Sequence, residues 1–131
     1  EGYDIVMVEG GNTFYLLKAV RESGFDRVIK DLIEKGVVYI GASAGSYIAC
    51  PSIIMSTWSN TGFDRCGITD YTAMNLVPFL IKAHYTPDMK EVLEEKTKDV
   101  DYKTRILTDD QAIVVQGDTI KLLGGGEEII I

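Results

Sequence analysis

Apolar residues follow two rhythms along the chain, and each change of rhythm marks an element. Residues 5–8 and 37–40 are short unbroken apolar runs bounded by glycines, the pattern of buried parallel strands. Between them Phe14, Leu17, Ala19 and Val20 recur at helical spacing behind a capping Asn12 or Thr13, and the pattern stops near Ser23 and Gly24. A second helix is predicted over residues 25–35, with Val28, Ile29, Leu32 and Ile33 at helical spacing and Gly36 as its stop.

Beyond Ser43, residues 44–50 form a compact apolar segment closed by Pro51. Residues 52–70 are polar, contain glycine and show no period, which predicts a long functional loop. Trp58 and Tyr71 in this region either line a pocket or cover the core. A strand is expected over residues 76–81, ending at Lys82, Ala83 and His84. Thr86, Pro87 and Asp88 supply a capping hydroxyl, a first-turn proline and an acid beside the dipole, so a helix should run from there to about Lys98. Short strands follow at residues 105–107, 112–115, 120–123 and 129–131, with Gln116, Gly117 and Asp118 turning between two of them as an antiparallel hairpin. Strands alternating with helices and then a hairpin predict an α/β layered sheet with helices on both faces.

The 131 residues suffice for a single domain with a real core, residues 1–131, and are too few for two. Net charge is −7 and the basic residues are scattered, which excludes the concentrated basic face of a nucleic-acid or anionic-membrane binder. Cys50 and Cys66 lack metal-ligand spacing and read as reduced thiols, so the expected location is the cytoplasm. No apolar run approaches the roughly 20 residues that span a bilayer. The chain opens on Glu1, Gly2, Tyr3 and Asp4 and enters an apolar run at once, without a starting Met; the expectation is a fragment of a longer protein.

Gly41-Ala42-Ser43-Ala44-Gly45 fits G-x-S-x-G in the context that its chemistry requires, a strand running into the serine and a helical segment leaving it. In such an elbow the serine is a nucleophile, and the Ala44 amide points to where an oxyanion would form. The turn from Val8 to Thr13 is a second glycine junction between strand and helix; it is either a tight capped turn or a second oxyanion donor. It lacks the lysine of a Walker loop. His84 is the single histidine, placed at a strand end, and is the one side chain that can supply an imidazole base. The acid that would orient it is open among Asp109, Asp110, Asp64 and Asp70, with the first two following a strand in the order serine, histidine, acid.

These residues resemble the peptidase E (aspartyl dipeptidase) family, related to the cyanophycinases. The resemblance rests on Gly10 to Phe14 with Leu16 and Leu17, on Tyr39 to Gly45, on Ala49-Cys50-Pro51, and on Leu76-Val77-Pro78 followed by Ala83 to Thr86. It implies a three-layer, mostly parallel sheet of the class I glutamine amidotransferase type, a C-terminal hairpin and a βαβ portion ahead of residue 5 that this chain lacks. It implies Ser43 as nucleophile, His84 as base, and Gly11 and Ala44 amides as the oxyanion hole, with Asn12 beside them at the substrate. Asp109 stands where the family carries a glutamate, which favours it as the acid. The family's arginine-rich stretch after the histidine is here residues 96–103, with only Arg105 near it.

The expected function is a serine peptidase that hydrolyses dipeptides or short peptides with N-terminal aspartate, by acyl transfer and with no cofactor or metal. The alternative is a non-catalytic peptide or small-molecule binding protein on the same scaffold. Thiol chemistry of the amidotransferase kind fails because the elbow holds Ser43, not cysteine. Strands missing from one side of a sheet leave an edge that favours a homo-oligomer or strand exchange between copies.

Overall fold

The computed structural model describes residue 2, residues 4–59 and residues 63–131. The expectations drawn from Glu1 and Tyr3, and from the part of the long loop at residues 60–62, lie outside the described residues. Among the described residues six strands and four α-helices follow in order: β1 (Ile5–Val8), α1 (Thr13–Ser23), α2 (Phe25–Glu34), β2 (Val38–Gly41), α3 (Ala44–Tyr47), β3 (Leu80–Lys82), α4 (Lys90–Lys96), β4 (Thr104–Ile106), β5 (Gln111–Gln116) and β6 (Thr119–Gly124). The class is α/β, as expected.

The strands pair two by two. β1 lies parallel to β2, with Ile5 opposite Val38 and Val8 opposite Gly41. β3 lies parallel to β4, with Lys82 opposite Ile106. β5 and β6 form the antiparallel hairpin predicted around Gly117, whose φ of 58° needs glycine. A three-layer, mostly parallel sheet was expected; the hydrogen bonding among the described residues gives three two-stranded sheets, two parallel and one antiparallel. A cavity of about 610 Å³ lies where they fail to join, lined by Val38 and Tyr39 of β2, Phe79 and Ile81 around β3, and Ile113 and Val115 of β5.

Helix boundaries follow local chemistry. Asn12 is the α1 cap, its side chain accepting from Tyr15 N, and Gly24 at φ 78° ends the helix. Phe14, Leu17 and Val20 are buried, whereas Ala19 faces solvent. Only Ile29 of α2 is fully buried, and Val28 and Ile33 are exposed. Thr86 precedes a 3₁₀ turn, Pro87–Met89, that leads into α4; its hydroxyl bonds Asp88 rather than capping the backbone.

Three expectations about the core are corrected. β1 and β2 are parallel but not buried on both faces. Val6, Val8 and Tyr39 pack on the core, while Ile5, Met7, Val38 and Ile40 form an exposed apolar face. The strand expected at residues 76–81 begins only at Leu80: Asn75 takes φ 54°, Pro78 has no N–H, and Leu76 N bonds Ala49 O instead. The long loop is core in its first part, where Ile53, Met55 and Trp58 are buried around a 3₁₀ turn at Ile54–Thr57. Tyr71 meets Phe14 edge-on with ring centres 6.1 Å apart and also lines a surface cleft. The last expected strand is a single bridge, Ile106 to Ile129.

Leu93 is the buried residue of α4, while its neighbour Val92 is exposed. Leu93→Ala should therefore lower unfolding stability by about 2–5 kcal/mol in chemical denaturation. Val92→Ala should cost well under 1 kcal/mol, in the range of surface substitutions. Equal losses would show that α4 is rotated from the face described.

Candidate active site

Ser43 ends the β1–β2 ladder at its C-terminal edge and begins α3. Its backbone sits at φ 54° and ψ −114°, a conformation that an ordinary residue adopts only when its surroundings over-determine it. Those surroundings are glycines. A Cβ on Gly45 would stand 2.0 Å from the Val8 carbonyl oxygen, and one on Gly41 would stand 2.6 Å from the Gly45 carbonyl oxygen. Two side chains bind the elbow to β2: the Tyr39 hydroxyl donates to Gly45 O at 2.6 Å, and Ser46 Oγ donates to Gly41 O at 2.7 Å.

The structure brings three of the expected side chains together. Ser43 Oγ lies 2.8 Å from His84 Nε2, and His84 Nδ1 lies 2.6 Å from Asp109 Oδ1. The parallel ladder makes this encounter. Lys82 O accepts from Leu107 N at 2.9 Å, and Leu107 O accepts from Tyr85 N at 3.0 Å. His84 thus sits beside the chain two residues before Asp109, in a left-handed conformation at φ 60°. The His84 and Asp109 side chains are 56% and 80% exposed, so backbone placement and not desolvation holds their bond.

The alternative acids are occupied elsewhere. Asp64 accepts from Cys66 N and Ile68 N within its own turn. Asp70 accepts from Thr72 N, which holds its carboxyl below the usual carboxylate range. Asp110 accepts from Thr108 Oγ1 and reaches back into its own turn.

Around Ser43, the amides of Gly11 and Ala44 donate to no acceptor among the described residues. Gly11 takes φ 136° and would place a Cβ in open space. Gly10 approaches closely: a Cβ there would lie 3.2 Å from Ser43 Cβ. Asn12 uses its side chain twice, as the α1 cap and as a donor to Phe63 O at 2.8 Å, which ties the long loop to this turn. Among the described residues no group of three His, Cys, Asp or Glu is placed to hold a metal ion.

Two residues with no role assigned from sequence lie behind the histidine. The Tyr47 hydroxyl of α3 accepts from Ala83 N at 3.1 Å and from Lys82 Nζ at 3.2 Å. Lys82 is buried, and its burial pushes the ammonium pKa down. A lysine that continues an apolar strand run was the available signal.

A strand–turn–helix elbow carrying a serine that is hydrogen-bonded through histidine to aspartate defines an α/β protein with a Ser-His-Asp constellation. The chain belongs to peptidase family S51, whose model matches residues 1–123. It is 34% identical over 121 residues to an uncharacterized peptidase, Lmo0363, of Listeria monocytogenes, covering 89% of this chain and 58% of that protein. It is 40% identical over 103 residues to peptidase E of Escherichia coli O1:K1, covering 76% of this chain and 42% of that protein. A crystal structure from Listeria monocytogenes, provisionally assigned as a peptidase E, superposes with TM-score 0.80 at 30% identity, over 95% of this chain and 61% of that one. The chain thus spans about half the length of the curated relatives it matches. Among the described residues no helix is long and apolar enough to cross a membrane.

Cys50 lies in the core seven residues past Ser43, with its thiol donating to Ser46 O and pushed by burial up to about 12. A thiol raised in this way carries little thiolate near neutral pH. A thiol reagent such as DTNB should modify Cys66 in the native chain and Cys50 only on unfolding. Two equally fast thiols in the native chain would contradict the packing of Cys50.

Proposed function

We propose that the chain carries the acyl-transfer site of a serine peptidase acting on dipeptides or short peptides with an N-terminal aspartate. The observation that carries this reading is the pair of hydrogen bonds from Ser43 Oγ to His84 Nε2 and from His84 Nδ1 to Asp109 Oδ1. Ser43 Oγ attacks the scissile carbonyl carbon as His84 Nε2 takes its proton. Asp109 holds the Nδ1–H tautomer and stabilises the imidazolium that forms. The Gly11 and Ala44 amides receive the developing oxyanion, and the proton returns to the leaving amine as the tetrahedral intermediate collapses. Water then attacks the acyl-Ser43 ester, with His84 again as base, and frees the acid product.

Support for the peptide substrate comes from the family; support for N-terminal aspartate comes from the resemblance of the motifs to peptidase E. The three-layer, glutamine amidotransferase-like sheet belongs to the same reading. It is supported by the parallel pairing of β1 with β2 and β3 with β4, and by α3 contacting all three of β1, β2 and β3. Cytoplasmic location and action without a cofactor also belong to this proposal.

Ser43→Ala in the full-length natural protein should abolish hydrolysis of Asp-Leu without lowering the melting temperature by more than a few degrees. Asp109→Asn should lower kcat by about 10²–10⁴-fold, by analogy with loss of the orienting acid elsewhere. Asp64→Asn and Asp70→Asn should stay within about threefold of the parent, since both carboxylates accept from amides of their own turns and neither bonds His84. Undiminished turnover by Ser43→Ala would overturn the assignment and favour a binding scaffold; sensitivity at Asp64 or Asp70 would overturn Asp109 alone.

A further inference from the structure

Both peptide groups that flank the His84 Cα are held by hydrogen bonds. On the far side, Tyr85 N donates to Leu107 O at 3.0 Å, which is the strand ladder. On the near side no strand partner does this work. The Ala83 carbonyl accepts from Lys82 Nζ at 2.8 Å, and the Ala83 amide donates to the Tyr47 hydroxyl at 3.1 Å. Lys82 Nζ also donates to that hydroxyl at 3.2 Å, which closes a knot of one phenol, one ammonium and the main-chain N–H and C=O of Ala83. Tyr47 is itself fixed to the nucleophile, because its amide donates to Ser43 O at 3.1 Å in the first turn of α3. The path from Ser43 to His84 therefore runs through Tyr47 and Lys82.

We propose that Tyr47 and Lys82 are positioning residues that set His84 against Ser43. The inference rests on the acyl-transfer reading above. A merely structural account of Lys82 is weak on physical grounds. Among the described residues no carboxylate pairs with its nitrogen. A buried ammonium without a counter-charge is costly, and an apolar residue of similar volume is often as stable or more stable. What Lys82 adds is a donor aimed at the carbonyl whose peptide bond sets the φ of His84. That φ is 60°, in the region where a non-glycine residue needs outside support. A shift of about 1 Å in a reacting group is enough to cost on the order of 10²-fold in rate.

The test is the rate at which a small fluorophosphonate phosphonylates Ser43, with loss of fluoride, read beside the melting temperature, in Lys82→Met, Tyr47→Phe and the double variant. Lys82→Met should slow labelling roughly 10–100-fold while the melting temperature holds or rises, and Lys82→Gln, which keeps a donor, should recover part of the rate. The double variant should be no slower than the slower single, since both side chains hold the Ala83 main chain and bond each other. Tyr47→Phe keeps the ring and carries the test if Lys82→Met does not fold. Labelling of Lys82→Met and Tyr47→Phe at the parent rate would overturn the proposal, as would losses that track the unfolded fraction and are not recovered by glutamine.

A second arm separates this outcome from failure of the serine-peptidase reading. If the parent chain is not labelled, or Ser43→Ala labels equally, that reading fails on its own. The low-field Nδ1 proton of His84 then decides the positioning claim, with no assignment needed because the chain has one histidine. The resonance should shift or broaden in Lys82→Met; an unchanged resonance would refute the positioning role.

Discussion

The contact between Gly45 and the Val8 carbonyl governs the rest of the site. The carbonyl oxygen occupies the place where any other residue would carry a Cβ, 2.0 Å from that position. Because α3 can come this close to β1, the chain turns from β2 into α3 within two residues and leaves Ser43 on the tip at φ 54°. Such a conformation costs on the order of 1–3 kcal/mol, which neighbouring interactions have to offset. Here those are the bonds of Tyr39 and Ser46 to the glycine carbonyls and the burial of Ala44, Tyr47 and Ile48. Within the elbow the positive φ falls on the residue whose side chain faces the histidine.

His84 and Asp109 arrive by a different route, with less burial behind them. They stand at the C-terminal ends of β3 and β4, on the rim where ligands gather in open α/β folds. Their mutual bond is open to water, so its geometry has to come from the main chain. The alternation of Lys82, Leu107 and Tyr85 in the ladder supplies it, and the Tyr47–Lys82 knot carries the same frame across to α3. A two-residue offset between Leu107 and Asp109 puts the carboxylate, and not that of Asp110, beside the ring.

Much of this was legible from residue types. The elbow glycines, the Asn12 cap, the Gly24 stop and the hairpin around Gly117 each depend on a local backbone requirement that few residues meet, so their identity declares them. Burial was not legible in the same way. Ile5, Met7, Val38 and Ile40 are as apolar as Val6 and Tyr39, and an unbroken apolar run cannot show which face is covered. Residues 53–58 were hidden for the opposite reason: three buried apolar side chains without helical or strand period look like loop. Lys82 was hidden because its partner, the Tyr47 hydroxyl, is 35 residues away in sequence.

Substrate selection is a separate problem from acyl transfer, and the guanidinium groups show it. A substrate with an aspartyl side chain brings a carboxylate, and a planar guanidinium is the group best matched to it. Arg105 is already committed, lying over the Phe79 ring and paired with Glu128 at 2.8 Å, at an angle outside hydrogen-bond geometry. Arg21 is committed too, donating at 2.7 Å to the carbonyls of both Asp70 and Thr72. Arg27 and Arg65 have no carbonyl or carboxylate partner among the described residues. Of these two, Arg65 belongs to the segment that Asn12 holds through Phe63 O, beside the turn that supplies the Gly11 amide. On the proposed reading, the acyl-transfer frame is built from strand ends and one short helix, whereas recognition of an anionic side chain would fall to a loop, the part of a fold that varies most readily.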